Sequence, residues 1–159
     1  MVTLMTARSA PKVSALISHT GFWLRFVSNR VSHSFARKLA GSGATVAEWV
    51  ILRELYEVGE TSPGRIATST GLTRGAVSKL VDRLVRKALA SRAEADRDRR
   101  FQDVGLTAAG RALVPTLAAL ADRNDVEFFS TLSVREREAL MATLKKLVAI
   151  HDLKAMPTT

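Results

Sequence analysis

The chain has 159 residues, enough for one domain of ordinary size with a buried apolar core. Its 24 Lys and Arg exceed its 15 Asp and Glu, and the net charge of +9 favours a polyanionic partner such as nucleic acid. Cysteine is absent, which excludes disulfides, thiolate metal sites and thiol redox sensing. Without a membrane-length apolar run or a signal-peptide pattern, we expect a cytoplasmic protein that does not enter membranes.

The basic residues are concentrated in the middle of the chain. Residues 62–100 contain ten Lys and Arg against four Asp and Glu, whereas residues 45–61 contain one Arg and four Glu. A solvated charged face would also explain this distribution, so the local pattern around the charges has to decide between the two interpretations.

Two helices are predicted before the basic block. Apolar residues spaced three, four and seven apart, from Leu16 to Leu39, predict a long amphipathic helix over about residues 12–39. Thr45 and Glu48 form a capping-box pattern that opens a second helix. This second helix is apolar on most sides, which predicts burial at the centre of the molecule, and Gly59 ends it.

The basic block begins with a predicted helix-turn-helix. Ser62 and Pro63 fit the N-cap and first position of a short helix that ends at Thr70-Gly71. Thr73 caps the next helix, which runs to about Ala88. Its buried stripe is predicted to contain Val77, Leu80, Val81 and Leu84. Two short helices joined by a tight glycine turn are typical of a helix-turn-helix.

An alternating pattern replaces the helical one over residues 89–106. It places Leu89, Ser91 and Ala93 on one face of a strand, and Val104 with Leu106 on the corresponding face of a second strand. The charged run between them, residues 96–100, is predicted to form the loop tip. A two-stranded ribbon beside a helix-turn-helix is a wing.

Two helices complete the chain. Thr107 caps one that runs to about Phe129, and a second capping box at Ser133 and Glu136 opens the last, with Leu140 and Leu144 on its apolar face. The predicted fold is therefore mainly α with a small β wing, in the order α-α-α-α-β-β-α-α within one unit, residues 1–159.

The second helix of the helix-turn-helix has the composition of a recognition helix. Short polar and basic residues lie on its outward face and could contact base edges or phosphates. Gly75 fits either close approach to DNA or simple tolerance of glycine in a first turn. Ser62 and Arg65 lie at a predicted helix N-terminus, where backbone N–H groups can bind a phosphate. The candidate DNA-binding residues of the two helices are Ser62, Arg65, Thr73, Arg74, Gly75, Ser78, Lys79 and Arg83.

The predicted wing tip is rich in arginine. Arg97, Arg99 and Arg100 alternate with acidic residues that include Asp98. Arginines braced by aspartates can enter a narrow minor groove. The alternative is a surface loop whose charges neutralise one another.

The stretches GLTRGAVSKLVDRLVRKAL and ADRDRRFQDVGLTAAGRAL together resemble the MarR family of winged-helix regulators. The resemblance implies an obligate homodimer formed by helices within residues 12–44 and 108–153, and a DNA-binding lobe over residues 45–107. It places Asp98 and Arg100 at the family's wing aspartate and minor-groove arginine. Ala88 departs from the pattern, which usually has glycine after the recognition helix.

The resemblance also implies a cleft for a small aromatic acid or phenol. The candidate lining residues are His19, Trp23, Phe26, Trp49 and Arg53. An imidazole and a guanidinium among aromatic rings would suit an aromatic carboxylate. The alternative interpretation is that the aromatic residues belong to the core.

No catalytic, metal or cofactor motif is present, so we expect a regulator that is not an enzyme. The expected function is sequence-specific binding of a palindromic duplex operator by a homodimer, as a repressor released by a small ligand. A non-specific architectural DNA-binding protein and a winged-helix protein-interaction module are the alternatives.

Overall fold

The structure is a computed structural model that describes residues 13–94 and 102–153. The predicted fold class is confirmed, with helices and strands in the predicted order. A short 3-10 helix, Leu16–Ser18, comes first. It is followed by α1 (Thr20–Leu39), α2 (Val46–Val58), α3 (Pro63–Thr70), α4 (Arg74–Arg86), β1 (Ala90–Glu94), β2 (Gln102–Leu106), α5 (Ala108–Phe128) and α6 (Val134–Ile150).

The first helix is shorter than the predicted 12–39. It starts at Thr20, and His19 precedes it with extended backbone angles, φ −95° and ψ 124°. Leu16 belongs to the 3-10 turn instead. The Trp23 indole donates to the Ile17 carbonyl at 2.8 Å, which folds this turn back over the start of α1. A contact of this kind leaves no periodic signal in the sequence. The apolar spacing from Leu16 onward therefore predicted a helix that starts too early.

Helix α2 lies at the centre of the molecule, as its apolar composition predicts. Ile51, Leu52 and Leu55 have no exposed surface, and α2 packs against α3, α4 and α5. The capping box between Thr45 and Glu48 opens the helix. Burial of these side chains is the main driving force for packing the lobe around α2.

The wing is an antiparallel pair in which Ala90 lies opposite Leu106 and Arg92 opposite Val104. Ala90 and Arg92, and not Ser91 and Ala93, share a face with Leu106 and Val104, so the predicted grouping of the two strand faces is wrong by one residue. Ala88, which follows α4 in a left-handed backbone conformation, turns the chain before β1 starts. This turn determines which residues of β1 lie on each face of the strand.

Thr61 adds a third, one-residue strand to the wing. Its backbone N–H donates to the Val104 carbonyl at 3.0 Å, and the Val104 N–H donates to the Thr61 carbonyl at 2.8 Å. A single bridging residue has no periodicity, which is why the sequence pattern predicted two strands only.

Thr107 and Gly110 fasten the base of the wing to α5. The Thr107 hydroxyl accepts the Gly110 N–H at 3.0 Å and donates to the Ala88 carbonyl at 2.7 Å. A Cβ on Gly110 would collide with the backbone carbonyl of Leu89. The glycine at this position of the Leu-Thr-x-x-Gly motif therefore permits close approach of two backbones.

Helices α1, α5 and α6 lie outside the lobe. Helix α1 packs against α5, and its first half is largely exposed. The second capping box opens α6, which contains no buried residue although it carries a stripe of leucines. None of the described helices is both long and apolar enough to span a membrane.

Candidate nucleic-acid interface

Helix α4 divides cleanly into a buried and an exposed face. Val77, Leu80, Val81 and Leu84 pack into the core. On the opposite face, all five predicted DNA-binding residues of the helix are exposed: Arg74, Gly75, Ser78, Lys79 and Arg83. The packing of α4 on α2 and α3 thus leaves three cationic side chains and one hydroxyl on a single solvent-facing surface.

Two predicted contact residues serve as helix caps. The Thr73 hydroxyl accepts the backbone N–H of Ala76 at 3.1 Å, and the Ser62 hydroxyl accepts that of Arg65 at 3.3 Å. Both hydroxyls therefore satisfy backbone donors at the starts of α4 and α3. The Arg65 side chain is exposed beside the start of α3.

Nothing in the chain requires glycine at position 75. A Cβ built on Gly75 would meet no atom within 4 Å. The space in front of this part of α4 is open, so the absence of a side chain allows another molecule to approach the helix backbone. Both sequence-based interpretations of Gly75 remain compatible with this geometry.

An ion pair that the sequence did not reveal joins α4 to the wing. Nη2 of Arg92, on β1, donates to Oδ1 of Asp82 at 2.7 Å. Both side chains are partly exposed. The pair offsets a negative charge on the recognition helix and sets the position of β1 against it. Charge alternation alone gave no signal for this partner.

The wing-tip candidates Arg97, Asp98, Arg99 and Arg100 lie outside the described residues. The two strands that bracket them end at Glu94 and restart at Gln102, on the same lobe as α4.

Behind the exposed face, Glu48 and Lys87 form an ion pair. Lys87 Nζ lies 2.8 Å from Oε2 and 2.9 Å from Oε1 of Glu48, whose side chain is 1% exposed. Burial by itself raises the pKa of this carboxyl. Hydrogen bonds from Lys87 and from the Thr45 amide, together with the Lys87 charge, outweigh that effect, so the pKa of Glu48 is lowered overall.

The predicted ligand residues fall into two separate groups within one chain. His19, Trp23 and Phe26 lie at the start of α1, where Trp23 and Phe26 contact each other edge to face. Trp49 packs instead against Phe35, with ring centroids 6.3 Å apart. Trp23 and Phe35 are separated by about 18 Å along the helix axis. A single chain therefore does not bring the two groups together.

The imidazole and guanidinium candidates, His19 and Arg53, both contact groups close to them in the chain. His19 Nδ1 lies 3.1 Å from the Ala15 carbonyl and 3.2 Å from the Leu16 carbonyl. Arg53 Nη1 lies 3.1 Å from Oε2 of Glu57 one helical turn away, and both side chains are exposed. Neither His19 nor Arg53 is among the residues that line the apolar groove between α1 and the corner of α5 and α6.

An open apolar groove of about 710 Å³ runs between α1 and the corner of α5 and α6. Of the predicted ligand residues, Trp23 alone is among those that line it. Leu24, Val27, Phe129 and Leu144 line its walls, and four Ser and Thr residues supply the polar groups. Within residues 13–94 and 102–153, no cluster of three His, Asp or Glu side chains could hold a metal ion.

A helix-turn-helix whose second helix exposes a basic face, followed by a β ribbon, defines a winged helix-turn-helix protein. The MarR family model matches residues 42–100, which include both helices of the motif and the first strand of the wing. This part of the chain is therefore similar to MarR family proteins, and the solved structures that the whole chain resembles include MarR family transcriptional regulators.

Solved structures extend the similarity beyond the lobe. A probable transcriptional regulator from Pseudomonas aeruginosa is 29% identical, with a TM-score of 0.78 over 84% of this chain and 99% of that one. Bordetella bronchiseptica BpsR, whose DNA binding is regulated by 6-hydroxynicotinic acid, is 29% identical, with a TM-score of 0.74 over 80% and 96% of the two chains. S. aureus MepR in complex with DNA is 27% identical, with a TM-score of 0.76 over 82% and 97%.

Proposed function

We propose that this protein is a sequence-specific transcriptional regulator that binds duplex DNA through the lobe of residues 45–107. The observation that carries the proposal is the exposed face of α4, with Arg74, Ser78 and Lys79 in its first two turns. The N-terminal half of a recognition helix enters the major groove, where arginine and lysine bind guanine and short hydroxyls bind bases or phosphates.

The flanking elements supply backbone contacts in this proposal. Arg65, Arg83 and the first turn of α3 contact phosphates, which fixes the register of the lobe on DNA without reading sequence. The wing-tip residues Arg97, Arg99 and Arg100 enter the minor groove, with Asp98 bracing a guanidinium. Ten cationic residues between 62 and 100 make binding strongly dependent on salt.

We further propose that the protein is a homodimer formed by α1, α5 and α6. In the single chain, α6 contains no buried residue, and Leu140, Leu144 and Leu147 are each 38–39% exposed. Trp23 and Phe26 of α1 are about half exposed, at 50% and 51%. Apolar surface on three neighbouring elements is typical of an interface with a second copy. A two-fold dimer requires a palindromic operator with half-sites about one helical turn apart.

The regulatory part of the proposal is repression that a small aromatic acid or phenol relieves. Regulation of the relative BpsR by 6-hydroxynicotinic acid supports this ligand class. Because His19, Trp23 and Phe26 lie far from Trp49 and Arg53 within one chain, a site that uses both groups would need both subunits. In this proposal the repressor acts in the cytoplasm, in contact with the DNA that carries its operator.

Selection of bound duplexes from a random pool tests the DNA-binding proposal. We expect enrichment of one palindromic sequence, bound about 10³-fold or more tightly than random DNA at the same salt concentration. Lys79→Met should lower operator affinity while the dimer stays intact, and Lys146→Met, at an exposed position of α6, should not change it. Binding without sequence preference would instead indicate an architectural DNA-binding protein.

A further inference from the structure

Lys87 ties the end of the recognition helix to the junction between α1 and α2. Its Nζ donates to the Gly43 carbonyl at 2.8 Å and to the two Glu48 carboxylate oxygens at 2.9 and 2.8 Å. An ammonium group has three N–H donors, so these bonds use all of them. Lys87 is the C-cap of α4, and its backbone N–H bonds to the Arg83 carbonyl, so its position follows that of the helix.

Glu48 fixes the other end of this link. Its Oε2 also accepts the Thr45 N–H at 2.8 Å, while the Thr45 hydroxyl accepts the Glu48 N–H at 3.2 Å. A buried carboxylate that loses its cationic partner is strongly disfavoured. The end of α4 is therefore held in one place relative to the first turn of α2.

Gly43 lies in the connection that follows α1. Gly41 and Gly43 both have φ of +84°, a conformation that glycine adopts without strain. A cavity of about 460 Å³ lies beside Lys87, and its walls include the small side chains of Ala36, Ala40 and Ala44. Leu39 and Val46 also line this cavity, and the Lys87 ammonium supplies the hydrogen bonds there that join the end of α4 to the connection.

Helix α1 shares one packing neighbour with α4, the helix α2, among the main packed element pairs of the described residues. It packs mainly on α5 and α2, whereas α4 packs on α2, α3 and β1. Within the described residues, no other side-chain hydrogen bond joins α4 or its C-cap to the part of the chain before Thr73. A change in the direction of α1 can therefore reach α4 through α2 and, at the α1–α2 junction, through the hydrogen bonds of Lys87 to Gly43 and Glu48.

We propose that Glu48 and Lys87 are positioning residues that couple the dimerisation helix α1 to the recognition helix α4, and so set the half-site spacing that the dimer accepts. The inference rests on the proposed function, because spacing has meaning only for a dimer with two recognition helices. The pair touches no DNA and acts through the tilt of α4.

The distance between the two recognition helices gives a test that needs no DNA. The chain contains no cysteine, so Val85→Cys, at an exposed position of α4, allows one spin label per subunit. We expect electron–electron double resonance to give one narrow distance in this labelled parent and a broadened distribution after adding Glu48→Gln and Lys87→Met together. The double variant leaves no unpaired charge, and glutamine can maintain the capping box.

A matched control removes another interhelical ion pair. Lys38 Nζ lies 2.7 Å from Oε2 of Glu127, and this pair joins α1 to α5 without reaching α4. Glu127→Gln should keep the narrow distance. An unchanged distribution in the double variant, or no intersubunit distance in the labelled parent, would overturn the coupling.

Operator spacing is the second readout. One base pair inserted between the half-sites rotates them by about a tenth of a turn, and the wild-type dimer should bind this DNA at least about tenfold more weakly. In the double variant we expect that ratio to shrink to about twofold, whereas Glu127→Gln keeps it. An unaltered ratio would count against the coupling. Failure of the wild type to prefer any sequence would refute the proposed function instead, and the label distances would still decide the coupling.

Discussion

At the scale of single residues, Ala88 shows that the turn after α4 forms without the glycine that usually occupies such a position. Ala88 has φ of +55°, and the Ala88 and Leu89 N–H groups bond to the Val85 and Leu84 carbonyls at 2.9 Å. These bonds form a Schellman motif with alanine at the left-handed position that glycine normally occupies. Family resemblance raised this position as a departure, and the structure shows that the turn forms nonetheless.

Replacing Ala88 with glycine should stabilise the protein. Alanine in the left-handed region costs about 1–2 kcal/mol, and the flexibility of glycine in the unfolded chain offsets about 0.5–1 kcal/mol of the gain. We expect Ala88→Gly to raise the free energy of unfolding by about 0.5–1 kcal/mol, measured by urea denaturation. Ala112→Gly, at an exposed position inside α5, should lower it instead. A lower free energy of unfolding for Ala88→Gly than for the wild type would contradict backbone strain at Ala88.

Substitution of Gly75 should change protein stability and operator binding in opposite directions. Gly75→Ala should raise the free energy of unfolding by up to about 1 kcal/mol, because the added methyl meets no protein atom. If α4 approaches DNA closely, the same methyl should weaken operator binding about tenfold, as overpacking costs about 1–3 kcal/mol.

Gly21 provides the control for this pair of measurements. It occupies the second position of α1, as Gly75 does of α4, and it also has open space around it. Gly21→Ala should change stability similarly and leave operator affinity unaltered in a titration. Equal affinities of wild type and Gly75→Ala would favour simple tolerance of glycine.

Glu48 should make stability depend on acid pH. Its pKa in the folded protein lies below the usual 4.5 of an unfolded glutamate. The ion pair therefore contributes its full stability above that ordinary value, and the contribution is lost as the pH falls through the lowered pKa. Glu48→Gln should show a flatter decline of the urea midpoint from pH 5 downward. Parallel pH profiles for the two proteins would show that this carboxyl is not the group responsible.

At the scale of elements, the Asp82–Arg92 pair connects the recognition helix to the wing. The pair is partly exposed, so it should contribute only about 0.2–1 kcal/mol to stability. Its larger effect should be on DNA binding, because Arg92→Met leaves a negative charge on the DNA-binding side and releases β1 from α4.

A double-mutant cycle tests this connection. We expect Arg92→Met to weaken operator binding about tenfold, and Asp82→Asn combined with it to recover part of the loss. A salt dependence that keeps the wild-type slope would indicate positioning, whereas a slope reduced by about one unit would indicate that Arg92 contacts a phosphate directly. Additive effects of the two substitutions would show that the pair is not coupled.

Helix N-caps were the structural features that the sequence predicted most accurately. Thr45, Thr73, Thr107 and Ser133 all cap the helices assigned to them, because a cap depends on residues within one turn. The start of α1 and the inward face of β1 were predicted wrongly. Both depend on local backbone turns, at His19 and Ala88, that disrupt a regular period.

At the scale of the whole molecule, α6 carries apolar surface that the single chain leaves partly uncovered. Leu144 lines the groove beside α1 and is 38% exposed in the single chain. Leu144→Asp places a charge in the proposed interface and should convert the dimer to a monomer in sedimentation experiments, with operator affinity lost alongside. Ala142→Asp, two residues away and about 160° around the helix from Leu144, should remain a dimer. A dimeric Leu144→Asp protein would place the interface elsewhere.

The sequence by itself determined the helix order, the buried stripe of α4 and the basic face opposite it, because each follows from short-range periodicity and capping. Only the tertiary structure decided which distant groups meet. The Lys87–Glu48 and Asp82–Arg92 pairs, the Thr61 bridge and the separation of the two groups of ligand candidates depend on how helices pack, and no residue spacing specifies them. Packing brings together residues far apart in the chain, and for that reason the links between the proposed dimerisation and recognition helices were visible only in three dimensions.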